Sequence, residues 1–475
     1  MSTLFPMLID GTLCEGSDEE CDAVVNPATG ETFGQVARAS VEDIDNAIGI
    51  AERGLSEWAA VLPWERGRIL IRAASILRER IDGAARTITL EQGKPFAEAR
   101  AEVERSADFL EWGGEQARRL TGRIVAGRTA GARIEIEHHP IGVVAAFSPW
   151  NFPMALAAKK FAGALGAGCA IIAKGAEETP GSILAIAQAL LDAGVTPAAV
   201  AVLSGDAEMI SSRLLASPVV RKLSFTGSIP VGKLLAETAG RYMKPVTMEL
   251  GGHAPVIVCA DVDPRAAADI MVAAKFANAG QICLSPTRFF VEAPIAKAFT
   301  DRFVERAAQL RLGDGMAPET QMGPLANKRR VDAIQRLVDD ASARGAKIIT
   351  ADQAPNNGGY FYSPTVLCGV AGDAAVLHEE PFGPVAPILP FSDEGQMLKE
   401  ANGLEFGLAS YIMTNDETRR RRLTDALAYG AVSVNGSLTH LPETPLGGWG
   451  DSGIGVEGGP EILAPYLRQK HIAFS

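Results

Sequence analysis

Apolar and polar positions change their period several times along this chain. Residues 41–90 and 96–120 carry apolar side chains at helical spacing, and long helical stretches are expected there. At 133–137 (RIEIE) the period falls to two, a half-exposed strand. From 141 onward short runs that are apolar at every position take over, as in strands covered on both faces. The run 141–147 precedes a helical stretch 155–165 that stops at Gly166 and Gly168. A run at 170–173 precedes a helix from Pro180 to Leu191, with Thr179 as the expected N-cap. Two further strands, 200–203 and 219–225, follow, the second leading through Gly227 and Ser228 into a helix to about Ala239. Beyond Gly251 the alternation restarts, with strands at 255–259 and 289–291 and helices at 264–279 and 296–310. Strand–helix repeats predict an α/β fold with parallel sheets, and the restart predicts a second α/β unit. A weaker strand at 471–474 and the one at 133–137 stand outside these units. They are expected to pair with each other or with another subunit.

Length and charge narrow the function. With 475 residues, the chain has room for about three domains or one large two-part enzyme. Hydrophobic residues at 47% and charged residues at 21% are globular values. The 45 basic against 57 acidic residues leave a net charge of -12, which argues against a nucleic-acid partner. Residues 141–158 are uncharged, but Pro149, Trp150, Asn151 and Pro153 interrupt them, and Lys159 and Lys160 close them, so no membrane helix is expected. The first residues lack a basic stretch followed by an apolar one, and a cytoplasmic protein is expected. Six scattered cysteines without a CxxC pair predict neither a zinc ribbon nor a thioredoxin-type site, and no metal site is expected.

Several short motifs carry candidate chemistry. GSIPVGK at 227–233 matches a phosphate-binding P-loop until Leu234, where a Mg²⁺-binding hydroxyl is required. What remains is either a phosphate site at a helix N-terminus or a tight turn. GIGVEG at 453–458 fits GxGxxG, but no strand precedes it, and it reads as a loop. Asn151, between Pro149 and Pro153, either donates a hydrogen bond into a cleft or caps a helix. Glu249 stands beside the paired glycines Gly251 and Gly252, and Cys283 follows a helix ending at Gly280. Together these residues supply a thiol nucleophile, a carboxylate base, an amide donor and a phosphate turn, the equipment for adding a thiol to a carbonyl beside a dinucleotide. The competing reading is a nucleotide-independent cysteine hydrolase that uses Cys283 with His253 as base.

At these residues the sequence resembles the NAD(P)-dependent aldehyde dehydrogenase superfamily, nearly end to end. The shared motifs include EQGKP at 91–95, PWNFP at 149–153, FTGS at 225–228, MELGG at 248–252, GQIC at 280–283 and EEPFGP at 379–384. Within the superfamily it looks most like bacterial 2-oxoglutarate semialdehyde and succinate semialdehyde dehydrogenases. The resemblance implies a Rossmann-like cofactor domain (1–119 and 140–249), an α/β catalytic domain (250–442) and a β oligomerisation arm (120–139 and 460–475) that builds a homodimer or homotetramer. It implies that Cys283 is the nucleophile, Asn151 the oxyanion donor and Glu249 the general base. Trp150, Lys174, Glu177, Gly227, Ser228, Glu380 and Phe382 would contact NAD, with NADP possible, and Glu177 is expected to favour NAD. Phe152, Leu156 and Lys159 would contact an aldehyde that carries a distal carboxylate. Leu446, where the family usually has Phe, leaves a bulkier or aromatic aldehyde as the alternative.

Overall fold

The computed structural model describes residues 3–351, 354–438 and 440–474. Residues 1 and 2 of the expected cofactor domain, 352, 353 and 439 of the expected catalytic unit, and 475 of the expected arm lie outside the described residues.

Among the described residues, the apolar runs form the parallel centre of an eight-stranded sheet. Its central order is Val246–Glu249, Val220–Thr226, Val143–Phe147, Ala170–Lys174 and Val200–Leu203. Val143–Phe147 is the first of these in the chain, yet later strands lie on both sides of it. The strand order therefore reverses beside it, and in open α/β sheets such a switch point opens a crevice at the C-terminal ends of the strands. The antiparallel strands Met7–Ile9 and Gly453–Ile454 flank the parallel centre. Helices such as Val41–Ala60, Pro153–Ala167 and Pro180–Ala193 pack against the sheet in one core.

The helical stretch expected at 41–90 is three helices, Val41–Ala60, Pro63–Glu79 and Ile81–Gln92. Ser40 and Asp43 form a capping box that starts the first, and Gly93 in the left-handed region (φ 95°) ends the third. The stretch at 96–120 is the single helix Phe96–Arg118. Thr179 occupies the N-cap position of its helix but makes no capping bond. Instead the buried Glu91 accepts the N–H groups of Gly181 and Ser182, at 2.7 and 2.9 Å. A carboxylate from a distant helix has replaced the local cap.

A second, seven-stranded sheet contains Ala254–Val258, Pro286–Glu292 and Val385–Phe391, and it has its own core. The two strands expected to stand apart pair with each other: Leu467–Phe474 lies antiparallel to Arg133–Pro140, which in turn pairs with Arg123–Ala126. The GxGxxG stretch is not simply a loop, because Gly453–Ile454 pairs with Met248 and Glu249, and Glu457–Gly458 pairs with Pro445–Leu446. A side chain at Gly453 would stand 2.3 Å from the Met248 carbonyl oxygen, so glycine permits the pairing. The short strands Thr3–Phe5, Cys21–Asn26 and Glu31–Ala37 were not foreseen, since so few residues carry little periodic signal.

Candidate active site

The candidate residues of the first unit gather where its parallel strands end. Trp150 and Asn151 follow Val143–Phe147, Lys174 is the last residue of its strand, and Gly227 and Ser228 follow Val220–Thr226. Glu249 is the last residue of Val246–Glu249, and the first strand of the second sheet begins at Ala254. This short connection brings the end of one sheet against the beginning of the other. Cys283 stands at that boundary, in the turn before Pro286–Glu292.

The turn has a local cause. The helix expected to reach 279 ends at Phe276, because Asn278 (φ 47°) and Ala279 (φ 53°) occupy the left-handed region. The Asn278 side chain offsets this uncommon conformation by donating to the carbonyls of Asn151 (3.0 Å) and Gln281 (3.3 Å). Asn151 is not the helix cap, which is Phe152. Its amide nitrogen donates to the Gln281 carbonyl at 3.1 Å, leaving the second N–H of the amide for another acceptor. Behind it stands a buried ion pair: Lys94 donates to Glu102 at 2.5 Å and to the Asn151 carbonyl at 2.7 Å. The other oxygen of Glu102 accepts the Met154 N–H at 2.9 Å, at the start of the Pro153–Ala167 helix. Glu102 carried no signal in the sequence, since a helix-face carboxylate is ordinarily a solvated charge.

Electrostatics distinguish the reactive candidates from surface groups. Desolvation pushes the Cys283 thiol up to about 12, and the Lys159 ammonium acts in the opposite direction. Glu249 is buried, and one of its oxygens has no hydrogen-bond partner. Desolvation, then the charge of Glu457, raises its pKa well above the usual carboxylate range, against Lys159 and Lys160. Glu457 in turn accepts from Lys160 at 2.7 Å.

The residues present fit a dinucleotide. Ser228 stands at the N-cap of the Ile229–Arg241 helix without spending its hydroxyl on a capping bond, and the buried Thr226 hydroxyl is unpartnered. A Cβ at Gly227 would stand 2.5 Å from the Phe225 ring, so the turn packs closely on that ring. Lys233 of the P-loop-like string turns away to pair with Asp451. Glu380 accepts the Gly252 N–H at 3.1 Å, and desolvation lifts its carboxyl to about 7. Trp150 meets Phe382 edge to face, with centroids 5.5 Å apart. Glu177 is exposed, with Arg329 3.6 Å away, and the buried Lys174 donates to the Gly175 carbonyl at 3.0 Å.

A cavity of about 350 Å³ reaches Cys283, and Phe152, Leu156, Lys159 and Leu446 line it. His253 is not among its lining residues. That histidine is buried, with Nδ1 2.7 Å from the Thr287 hydroxyl and Nε2 3.2 Å from the Val376 carbonyl. Both ring nitrogens are engaged, and burial pushes its pKa well down. The hydrolase reading with His253 as base is therefore set aside.

Comparison with known proteins agrees. The model of the aldehyde dehydrogenase family matches residues 14–472. The chain is 44% identical to a 4-(hydroxymethyl)benzenesulfonate dehydrogenase of Comamonas testosteroni, over 98% of both chains. It is 38% identical to the NADP(+) succinate-semialdehyde dehydrogenase of Escherichia coli K12, over 98% of this chain and 96% of that one. The crystal structure of an E. coli NADP-dependent enzyme superposes with a TM-score of 0.97 at 37% identity, covering 100% of this chain and 98% of the other. A match of this length, over a site assembled from the same residues as the motifs, leaves one conclusion: the chain belongs to the aldehyde dehydrogenase family.

Proposed function

We propose that this enzyme oxidises an aldehyde bearing a distal anion to the carboxylic acid with NAD(P)+, through a thioester on Cys283. The reading is carried by one observation, that an apolar pocket reaching Cys283 has the Lys159 ammonium in its wall. Cys283 Sγ attacks the aldehyde carbon, its proton leaving to a base, and the resulting oxyanion takes hydrogen bonds from the free Asn151 amide N–H and the Cys283 backbone N–H. One such donor contributes about 2.7–4 kcal/mol to the transition state. Bound NAD(P)+ supplies the acceptor for the hydride that leaves the adduct carbon. Glu249 then takes a proton from water as the water oxygen attacks the thioester, and Cys283 leaves as thiolate. Its raised pKa and unpartnered oxygen suit a base that works near neutrality.

For the cofactor, the first unit (1–119 and 140–249) supplies Trp150, Lys174, Glu177, Gly227 and Ser228, and the second (250–442) supplies Glu380 and Phe382. NAD is the preferred cofactor, because the exposed Glu177 carboxylate accepts a ribose hydroxyl and repels a 2′-phosphate. Arg329, 3.6 Å away, tempers that repulsion, so NADP is tolerated. Glu177→Ser is expected to raise kcat/KM for NADP+ relative to NAD+ by about tenfold, one lost ionic hydrogen bond. An unchanged ratio in steady-state assays removes Glu177 from the cofactor site. The arm at 120–139 and 460–475 is the surface of a homodimer or homotetramer. It presents Ile124 at 67% and Phe474 at 45% exposure, which a second subunit would cover.

On the substrate side, Phe152 and Leu156 form walls and Lys159 attracts the anion. Succinate semialdehyde is expected to exceed butanal in kcat/KM by at least about tenfold, and Lys159→Met to erase that advantage. Equal use of the two by the wild type overturns the anionic reading. A second reading, a bulkier or aromatic anionic aldehyde, is favoured by Leu446, which lines the pocket with a side chain smaller than Phe.

A further inference from the structure

Two cations line the Cys283 pocket, Lys159 and Arg105, and among the described residues neither has a hydrogen bond or ion pair. Lys159 already has its place in the anionic reading above: it is buried, stands 5.2 Å from the Phe109 ring centroid, and is among the charges acting on Cys283. Arg105 is not so explained. It lies on the Phe96–Arg118 helix, with Ala101 and Phe109 one turn away on either side, and all three line the pocket.

The nearby acids of the same helix are committed elsewhere. Glu104, Asp108 and Glu111 of the same helix all pair with Arg78, at 2.8, 2.6 and 2.7 Å. The carboxylate of Glu98, also in the pocket wall, accepts the Asn278 N–H at 2.9 Å. Arg105 acts on His440, another wall residue, and is not among the charges felt most by Cys283. Phe109 adjoins both cations, one helical turn from Arg105 and with the Lys159 ammonium 5.2 Å from its ring centroid, and Phe152 also lines the cavity.

We propose that Arg105 is a second specificity-determining residue of this pocket, beside Lys159, its guanidinium binding a carboxylate or sulfonate at the far end of an aldehyde whose flat apolar body lies against Phe109 and Phe152. A guanidinium suits this task because its planar fork meets two oxygens of such a group at once. The assignment rests on the anionic-aldehyde reading above, and adds to it a second residue that reads the anion.

The test compares 4-formylbenzoate and 4-formylbenzenesulfonate with neutral 4-methylbenzaldehyde, in the wild type, Arg105→Met and Arg105→Lys. In the wild type, kcat/KM is expected to favour both anionic aldehydes. In Arg105→Met the anionic-to-neutral ratio should fall about 10- to 100-fold, through KM rather than kcat, with partial recovery in Arg105→Lys. A fall confined to one of the two anions identifies which oxyanion is bound. A preserved ratio in Arg105→Met overturns the assignment while the anionic reading stands, and an equal loss on all three aldehydes makes Arg105 merely structural. A wild type that does not favour the anionic aldehydes overturns both.

Discussion

Cys283→Ala is expected to lower aldehyde oxidation by at least about 10⁴-fold while the protein stays folded and still binds NAD+. Removing the nucleophile from a group of residues that act together costs nearly the whole of their joint contribution. The replacement is a small side chain at a half-buried turn, so its effect on stability should be minor. Of the other five cysteines, none lines the pocket, and Cys169 and Cys259 are buried, with thiols that burial pushes up to about 11 and about 12. No substitute nucleophile is at hand. The measurements are NADH absorbance for turnover and calorimetric titration for NAD+ binding. Turnover near the wild-type value would remove Cys283 from the chemistry.

Glu249→Gln is expected to leave the first turnover of NADH formation visible and to slow the steady state by about 10²–10⁴-fold. Glutamine keeps the shape of the side chain but cannot accept a proton from water, so the acyl group should accumulate on Cys283. Stopped-flow absorbance should show a burst followed by a slow phase, and intact-mass measurement should show the acylated protein. The pH dependence has a definite sign. Burial and Glu457 raise the pKa of Glu249, so its basic form appears only at higher pH than for an ordinary carboxylate. In the wild type, deacylation should therefore climb with pH through the raised pKa, and in Glu249→Gln this limb should vanish. A variant that loses the burst itself would place Glu249 earlier, at activation of the thiol.

Much of the site could be read from the chain, because its residues fall where a strand gives way to a turn. Apolar runs announced the strands, and Asn151, Lys174, Ser228 and Glu249 each stand at or just beyond the end of one. Glycine and proline marked the turns, and the ordered motifs carried the family. The supports of the site were far less legible. Glu102 and Lys94 look like ordinary helix and loop charges, yet together they hold the Asn151 backbone and the start of the Pro153–Ala167 helix. Arg105 carries no signal of its own for the same reason, since one arginine among the acids of an amphipathic helix reads as a solvated face.

By itself, then, the sequence determined the long helices and buried strands, the parallel α/β architecture, the family and the candidates for the chemistry, because each depends on local periodicity or on a contiguous motif. Tertiary structure alone decided which charges are buried, which of them are paired, and what faces Cys283. Asn151 and Gln281 are 130 residues apart, and Lys160 and Glu457 are 297 apart. The first contact exists because the end of one sheet meets the beginning of the other, and the second because Gly453–Ile454 pairs with Met248 and Glu249 at the edge of the first sheet. The same holds for His253, which a sequence reader can place near Cys283 but which the fold turns toward Thr287 and Val376. A side chain's charge state and direction follow from its desolvation and its neighbours, and chain order does not encode either one locally.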